Sequence, residues 1–227
     1  MKEKQFEKPK TSSHLGKEEN FVKNETEEKK IEKIDIEKTI KEIEEEFPED
    51  HEREQFYFEK ESLKELLAII LDGGFKKIAC LGVPTLALAL EKLGREVTLL
   101  DIDERFKDVI KGYKKWDITK PQYIKETFDL IIVDPPFSKV RTGQIKRAIE
   151  MLAHYNPKQK ILISYFTPRA EHFLKVFKSF NLEKTGFYPK YQNLPEIKKT
   201  KKGDERKQWV EFFSNFEIKK HKEQNTE

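Results

Sequence analysis

The chain has 227 residues, of which 36% are hydrophobic and 38% are charged, and its formal net charge is +3. This length allows one α/β domain with an appendage but not two full domains. A single cysteine excludes a disulfide within the chain, and the small net charge does not by itself indicate a nucleic-acid-binding protein. No run of about 18 apolar residues predicts a membrane span. We therefore expect a soluble, intracellular protein of the cytoplasm or nucleus with no membrane partner.

The first 50 residues are expected to form a charged extension. Residues 1–16 have no periodic apolar pattern, which predicts disorder. In residues 27–47 apolar side chains recur at helical spacing among Glu and Lys, and Pro48 ends the pattern. The stripe consists of Ile31, Ile34, Ile40, Ile43 and Phe47. Two interpretations stay open, namely a helix that is mobile or loosely packed and a helix that binds a protein partner.

Residues 51–218 are expected to form the main domain, and 219–227 a disordered tail. Helices are predicted at 63–71, 85–93, 104–110, 142–154 and 169–179, and strands at 77–82, 96–101, 128–134 and 160–165. Strands that are solid Val, Ile and Leu runs and alternate with helices are typical of a parallel sheet covered on both faces. Segments 182–191 and 207–216 would close that sheet as an antiparallel hairpin.

Two strand ends carry residues suited to a nucleoside cofactor. Gly82 follows the first strand and would let the backbone approach a ligand, although a plain tight turn explains it equally well. Asp101 ends the second strand about twenty residues later, where a carboxylate can accept from a ribose diol. We interpret Asp103 as a helix N-cap.

The next predicted strand runs into Asp134-Pro135-Pro136-Phe137. Two prolines remove two N–H donors, so the turn offers a carboxylate and rigid carbonyls, while Phe137 offers a flat apolar surface. An exocyclic amino group fits these acceptors and would be methylated by positioning and local electrostatics, with no metal.

Asp/Asn-Pro-Pro-aromatic is the signature of methyltransferases that act on adenine N6, cytosine N4 or glutamine. Within that class, residues 54–216 resemble the methyltransferase domain of the zinc-finger CCHC-type ribosomal-RNA adenine-N6 methyltransferase family. The matching stretches are Gln55 to Phe58, Cys80 to Pro84, Leu99 to Asp103 with Arg105 and Phe106, Asp134 to Phe137, and Tyr165-Phe166. The resemblance implies a Rossmann-like, seven-stranded class I fold and S-adenosylmethionine as cofactor.

The resemblance also implies site residues. Leu81, Gly82 and Pro84 would line the methionine end of the cofactor, Asp101 its ribose, and Trp116 and Asp117 its adenine, with Phe56 closing over it. A core aromatic and a loop cap remain the alternatives for Trp116 and Asp117, and core packing for Phe56. The catalytic set would be Asp134, Pro135, Pro136 and Phe137.

Two basic segments are candidates for the substrate. Lys139 and Arg141 follow the catalytic turn, and a denser run contains Lys198, Lys199, Lys201 and Lys202. Lysines near aromatic residues suit phosphates and unstacked bases, which favours RNA over DNA as the partner. The zinc modules of the family are missing, so the substrate is open. Alternatives are a lysine methyltransferase acting on a translation factor, as in a sister family, and a non-catalytic cofactor-binding subunit.

Overall fold

The chain alternates short apolar strands with amphipathic helices, and this alternation builds a layered α/β domain. The computed structural model describes residues 35–50, 52, 55–193 and 210–218. The elements are α1 Ile36–Glu46, α2 Lys60–Asp72, β1 Lys77–Leu81, α3 Pro84–Lys92, β2 Glu96–Asp101, β3 Tyr113–Lys115, β4 Leu130–Val133, α4 Thr142–Leu152, β5 Lys160–Phe166, α5 Ala170–Val176, β6 Glu183–Lys184 and β7 Val210–Ser214. Short 3₁₀ helices span Glu104–Asp108, Thr167–Arg169 and Lys178–Phe180.

The strands form a single seven-stranded sheet in the order β3-β2-β1-β4-β5-β7-β6. The first five in that order pair in parallel, and β7 runs antiparallel to both β5 and β6. Strand order reverses between β1 and β4, which is where open α/β sheets bind ligands beyond the carboxyl ends of the strands. The predicted Rossmann-like sheet and its antiparallel closing hairpin are therefore confirmed.

Three details of the predicted elements were wrong. The sequence pattern missed β3, a three-residue strand of Tyr and Lys at the sheet edge. The helix predicted at 169–179 is divided into a 3₁₀ turn, the seven-residue α5 and a second 3₁₀ turn. The segment predicted as a strand at 182–191 contributes only the two residues of β6. Short and polar edge elements carry no periodic apolar signal, which explains these omissions.

The helix α1 packs against the domain. Asp35 caps it by accepting a hydrogen bond from the Lys38 amide at 2.9 Å. Its side chains Ile36, Ile40, Ile43 and Phe47 are buried in the same hydrophobic cluster as α2 and α3. The described part of this helix thus packs on its own domain, which covers these four side chains.

Apolar side chains cover both faces of the sheet and form two clusters. Cys80 lies in β1 with no exposed surface, and burial raises the pKa of its thiol. Among the described residues, none of the helices is long and apolar enough to cross a bilayer. Several predictions lie outside the described residues, namely residues 1–16, the first part of the 27–47 helix, the 219–227 tail and the four lysines Lys198, Lys199, Lys201 and Lys202.

Candidate active site

A cavity of about 330 Å³ opens at the carboxyl ends of β1, β2 and β4. Its wall combines apolar side chains with carboxylates at strand ends. The lining residues are Glu52, Gln55, Leu81, Gly82, Leu100, Asp101, Ile102, Asp103, Trp116, Asp117, Ile118, Thr119, Asp134, Pro135, Pro136, Lys139 and Val140. The topology therefore brings the predicted cofactor turn and the predicted catalytic turn into one space.

Gly82 joins these two turns. Its φ of +71° lies in the left-handed region, which costs a side-chain-bearing residue about 1–2 kcal/mol. A Cβ placed on Gly82 would lie 2.7 Å from the carbonyl oxygen of Asp134, closer than a carbon can approach. Glycine at this position thus lets the β1 turn lie against the main chain of the catalytic turn.

Main-chain amides donate hydrogen bonds to the two carboxylates at the end of β2. Asp101 accepts from the Asp103 amide at 2.9 Å, and Asp103 accepts from the Arg105 amide at 3.1 Å. Asp103 also pairs with the Arg105 guanidinium at 2.6 Å. Burial raises the pKa of Asp103, but the hydrogen bonds from Arg105 outweigh it and the net shift is downward. Asp103 is therefore the predicted N-cap, and Asp101 is the strand-end carboxylate in the cavity wall.

Trp116 and Asp117 follow β3, and the structure gives each of them a structural role as well as a place in the cavity wall. Trp116 is buried in the core and donates its indole N–H to the Gln122 carbonyl at 3.0 Å, yet it also lines the cavity. Asp117 caps its loop by accepting from the Thr119 hydroxyl at 2.6 Å and amide at 2.8 Å. These Thr119 hydrogen bonds lower the pKa of Asp117, which keeps it ionised.

Asp134 lies directly after β4 and is held by side chains from two distant segments. The hydroxyls of Ser164 and Tyr191 both donate to its Oδ1 atom, the second at 2.8 Å. The Oδ2 atom has no hydrogen-bond partner in the part of the chain that the structure describes. Burial raises the pKa of this carboxyl to about 7, although the two hydroxyls oppose the shift. Asp134 is therefore a carboxylate near its titration point with one oxygen available.

The two prolines and Phe137 complete the turn after Asp134. The Pro136 carbonyl accepts from the amides of Lys139 and Val140, both at 3.1 Å, which folds the chain back toward α4. Phe137 is half-buried and meets the Tyr165 ring edge-on, with centroids 6.3 Å apart. The cavity wall next to Asp134 thus contains two residues without an amide donor.

Not every predicted site residue reaches the cavity. Leu81, Gly82, Asp101, Trp116, Asp117, Asp134, Pro135, Pro136 and Lys139 line it. Pro84 instead begins α3 and is buried there, and Arg141 lies at the N-terminus of α4. Phe56 packs against the core, whereas its neighbour Gln55 lines the cavity. Phe137 lies beside the cavity, against Tyr165.

Sequence reasoning missed Ser164 and Tyr191. Ser164 is a buried polar residue within the apolar strand β5, and such a residue signals a partner that the strand pattern cannot name. The sequence marks Tyr191 only as one of the aromatic residues near the basic run that begins at Lys198. Neither position suggested contact with Asp134, from which they are separated by 30 and 57 residues.

Residues 49–218 match the family described as Probable N6-adenine methyltransferase. The chain belongs to this family. Among curated protein sequences, none matches the chain. The match spans every strand of the sheet and every residue that lines the cavity. The fold is accordingly that of the Rossmann-like class I methyltransferases, as the sequence predicted.

Solved structures are similar to this methyltransferase in fold. The crystal structure of Thermoplasma acidophilum 1320 is 22% identical, with a TM-score of 0.50, over 72% of this chain and 91% of that one. The branched-chain polyamine synthase from Thermus thermophilus, in complex with N4-aminopropylspermidine and 5'-methylthioadenosine, is 14% identical with a TM-score of 0.60. That match covers 79% of this chain and 62% of the synthase, so the chain spans less than two thirds of it. At these sequence identities the similarity is evidence for a shared fold and not for a shared activity.

Membership of this methyltransferase family implies S-adenosylmethionine as the cofactor. The residues of the cavity fit such a group. A strand-end carboxylate, the apolar walls of Leu81, Leu100 and Ile118, and an aromatic side chain surround one space of about 330 Å³. Carboxylates suit ribose hydroxyls, and apolar walls suit a flat base.

Proposed function

We propose that this methyltransferase transfers a methyl group from S-adenosylmethionine to the N6 amino group of an adenine in RNA. The observation that carries the proposal is the acceptor-only wall beside the cofactor cavity. Asp134 offers Oδ2, and the Pro135 carbonyl has no hydrogen-bond donor among the described residues. An aromatic amino group has two N–H donors, which matches these acceptors.

The cofactor roles follow from which residues line the cavity. We assign Asp101 to the ribose hydroxyls, Trp116 and Asp117 to the adenine, and Leu81 with Gly82 to the methionine end. Asp101 and Asp117 each have one oxygen anchored by their own loops. This anchoring orients the carboxylates before a ligand arrives, which reduces the ordering cost of binding.

The chemistry at Asp134 needs the ionised carboxylate. Bound S-adenosylmethionine supplies an electrophilic methyl group on a sulfonium. Asp134 Oδ2 and the Pro135 carbonyl accept the two N–H groups and turn the nitrogen lone pair out of the ring plane, toward the methyl carbon. On accepting the methyl group, the amino group would release one proton. Asp134 takes up this proton and passes it to solvent. A carboxyl whose pKa is about 7 suits this exchange.

The RNA assignment rests on where the basic run is attached. Tyr191 contacts Asp134, and Val210 pairs with Phe166 at the end of β5. The chain between Tyr191 and Val210, which carries Lys198, Lys199, Lys201 and Lys202, therefore begins and ends at the edge of the sheet that holds the active site. We propose that these lysines, with Lys139 at the cavity and Arg141 beside it, contact RNA phosphates. An adenine must be unpaired or flipped out to reach Asp134.

The test gives the purified enzyme methyl-labelled S-adenosylmethionine and a cell extract that is then digested separately with ribonuclease, deoxyribonuclease or protease. We expect ribonuclease to release the label as N6-methyladenosine. Asp134→Ala should lower turnover on the order of 10³-fold or more, because it removes the acceptor at the reacting nitrogen. Its affinity for the cofactor should stay within about twofold of wild type, since the proposed duty of Asp134 is to the substrate.

A matched control lies at the other end of the same strand. Asp129 is a carboxylate that accepts from the amides of Lys76 and Lys77 at the opposite edge of the sheet. Asp129→Ala should lose some stability but keep methyl transfer. Label that is lost with protease and resists ribonuclease would replace the RNA proposal with lysine methylation. Full turnover by Asp134→Ala would refute the proposed mechanism.

A further inference from the structure

The two oxygens of the Asp134 carboxylate have different surroundings. Oδ1 accepts two hydroxyl hydrogen bonds, and Oδ2 accepts none from the described residues. Both donors are well buried, since Ser164 has no exposed surface and Tyr191 is 8% exposed. A carboxylate that is bonded in this way cannot rotate about its Cβ–Cγ bond without breaking two hydrogen bonds.

Tyr191 reaches Asp134 because the chain around it is fixed by a segment from the start of the domain. The Gln192 amide donates to the Tyr57 carbonyl at 2.9 Å, and the Glu59 amide donates to the Lys190 carbonyl at 2.9 Å. The Phe58 ring packs on the Tyr191 ring, with centroids 5.0 Å apart. The aromatic residues near the start of the domain thus support Tyr191 in the active site.

The main chain after Asp134 cannot supply the donors that the hydroxyls provide. Pro135 and Pro136 have no N–H, so the amide that caps Asp101, Asp103 and Asp117 two residues downstream is missing here. The turn keeps its carbonyls as acceptors for a substrate, and donors for the carboxylate must come from elsewhere in the fold. Ser164 and Tyr191 are these donors.

We propose that Ser164 and Tyr191 are positioning residues, which hold Oδ1 of Asp134 with two hydroxyl hydrogen bonds and thereby present Oδ2 to the amino group of the substrate. The proposal rests on the proposed role of Asp134 as the substrate acceptor. It assigns to each hydroxyl a second effect, because a donor to a carboxylate favours the ionised form. The two residues orient the acceptor and keep it charged.

A pH dependence follows from this arrangement. Only the ionised carboxylate accepts from the substrate, so kcat should fall as the pH falls through the pKa of Asp134. The charged groups elsewhere in the cavity wall are Glu52, Asp101, Asp103, Asp117 and Lys139. The pKa of Asp134 is set by burial and by the two hydroxyls. Removing one hydroxyl should therefore raise the pKa and move the acid limb of kcat to higher pH.

The experiment measures kcat against pH, at saturating cofactor and substrate, for Tyr191→Phe and Ser164→Ala. We expect the midpoint of the acid limb to rise by about one pH unit in each variant. Below both midpoints this shift lowers kcat about tenfold. On the alkaline plateau, where the carboxylate is ionised in every variant, any loss of kcat that remains measures the loss of orientation. A midpoint that stays at the wild-type pH would mean that the hydroxyls do not act on the Asp134 carboxylate, and it would overturn the proposal.

A second readout does not depend on the substrate. The ¹³C signal of the Asp134 carboxyl, assigned by its loss in Asp134→Asn, should titrate at higher pH in both variants when no substrate is present. This measurement tests the two hydrogen bonds to the carboxylate even if the methylated amine proves not to be adenine. Tyr165→Phe is the matched control, because its buried hydroxyl bonds Thr142 at 2.6 Å rather than Asp134. Its titration midpoint should match wild type, and an equal shift there would overturn the assignment to Tyr191.

Discussion

The active-site edge of the sheet has a cofactor half, at the ends of β2 and β3, and a catalytic half, at the end of β4. The aspartates of the two halves differ in their hydrogen bonds and in their pKa values. In the cofactor half, Asp101, Asp103 and Asp117 each accept a hydrogen bond from the amide two residues downstream. The pKa values of Asp103 and Asp117 lie below their ordinary range. In the catalytic half, Asp134 has Pro136 at that position, and its pKa rises to about 7. Asp103 and Asp117 are thus held ionised, whereas Asp134 is a titratable acceptor.

The difference has two sources. Hydrogen bonds from the side chains and main chain of Arg105 and Thr119 favour the ionised forms of Asp103 and Asp117, whereas burial raises the pKa of Asp134, where proline leaves no amide donor two residues downstream. The carboxylates of the cofactor half, anchored by their own loops, suit ribose and base groups that donate hydrogen bonds. The catalytic half instead needs an acceptor whose charge depends on burial and on the hydroxyls of two other segments.

Gly82→Ala should have the largest effect, because this residue is where the two halves touch. The left-handed φ costs alanine about 1–2 kcal/mol, and the Cβ contact with the Asp134 carbonyl adds about 1–3 kcal/mol. Gly74→Ala is the control, since Gly74 has a φ of +69° and no atom within 4 Å of an added Cβ. Denaturant unfolding and cofactor titration of both variants measure the difference. Equal losses would show that the two turns do not depend on their contact.

Asp101→Ala should act on the cofactor half alone. Loss of a charged hydrogen-bond partner costs about 1–3 kcal/mol, so calorimetry should record weaker binding of S-adenosylmethionine. At saturating cofactor, kcat should remain near that of wild type because Asp134 is unchanged. Asp108→Ala removes an exposed carboxylate from the following 3₁₀ helix and should leave affinity as it is. A large fall in kcat at saturating cofactor would contradict the division of the edge into two halves.

Pro136→Ala should have the smallest effect and would make the catalytic turn resemble those of the cofactor half. The new amide lies two residues after Asp134, where it can donate to the carboxylate and lower its pKa. We expect the acid limb of kcat to move to lower pH by about one unit or less, opposite to the shift in Tyr191→Phe. Pro135→Ala restores an amide one residue earlier and serves as the control. A shift to higher pH would show that the prolines act by another route.

The sequence predicted those parts of the fold and site that depend on local pattern. β1, β2, β4 and β5 are apolar runs, and the first three lead to Gly82, Asp101 and Asp134. The parallel sheet and the meeting of these three residues at one edge could therefore be predicted in chain order. The turn residues follow the strands directly, and parallel strands bring their carboxyl ends to the same edge.

The remaining features depend on contacts between distant segments. The apolar stripe of α1 predicts an amphipathic helix but does not say which surface covers it, and here α2 and α3 do. Ser164 and Tyr191 meet Asp134 only because β5 lies beside β4 and because Phe58 pairs with Tyr191. No spacing rule within one segment carries that information.

Because Cys80 is buried, the wild-type protein can be labelled at an introduced cysteine without first replacing the native one. Cys80 is the single cysteine of the chain, and a thiol without exposed surface and with a raised pKa is a poor nucleophile. A cysteine introduced at an exposed position such as Lys139 would therefore react alone with a maleimide dye, without any prior substitution in β1. Fluorescence from that dye at the mouth of the cavity would report the arrival of a ligand in real time.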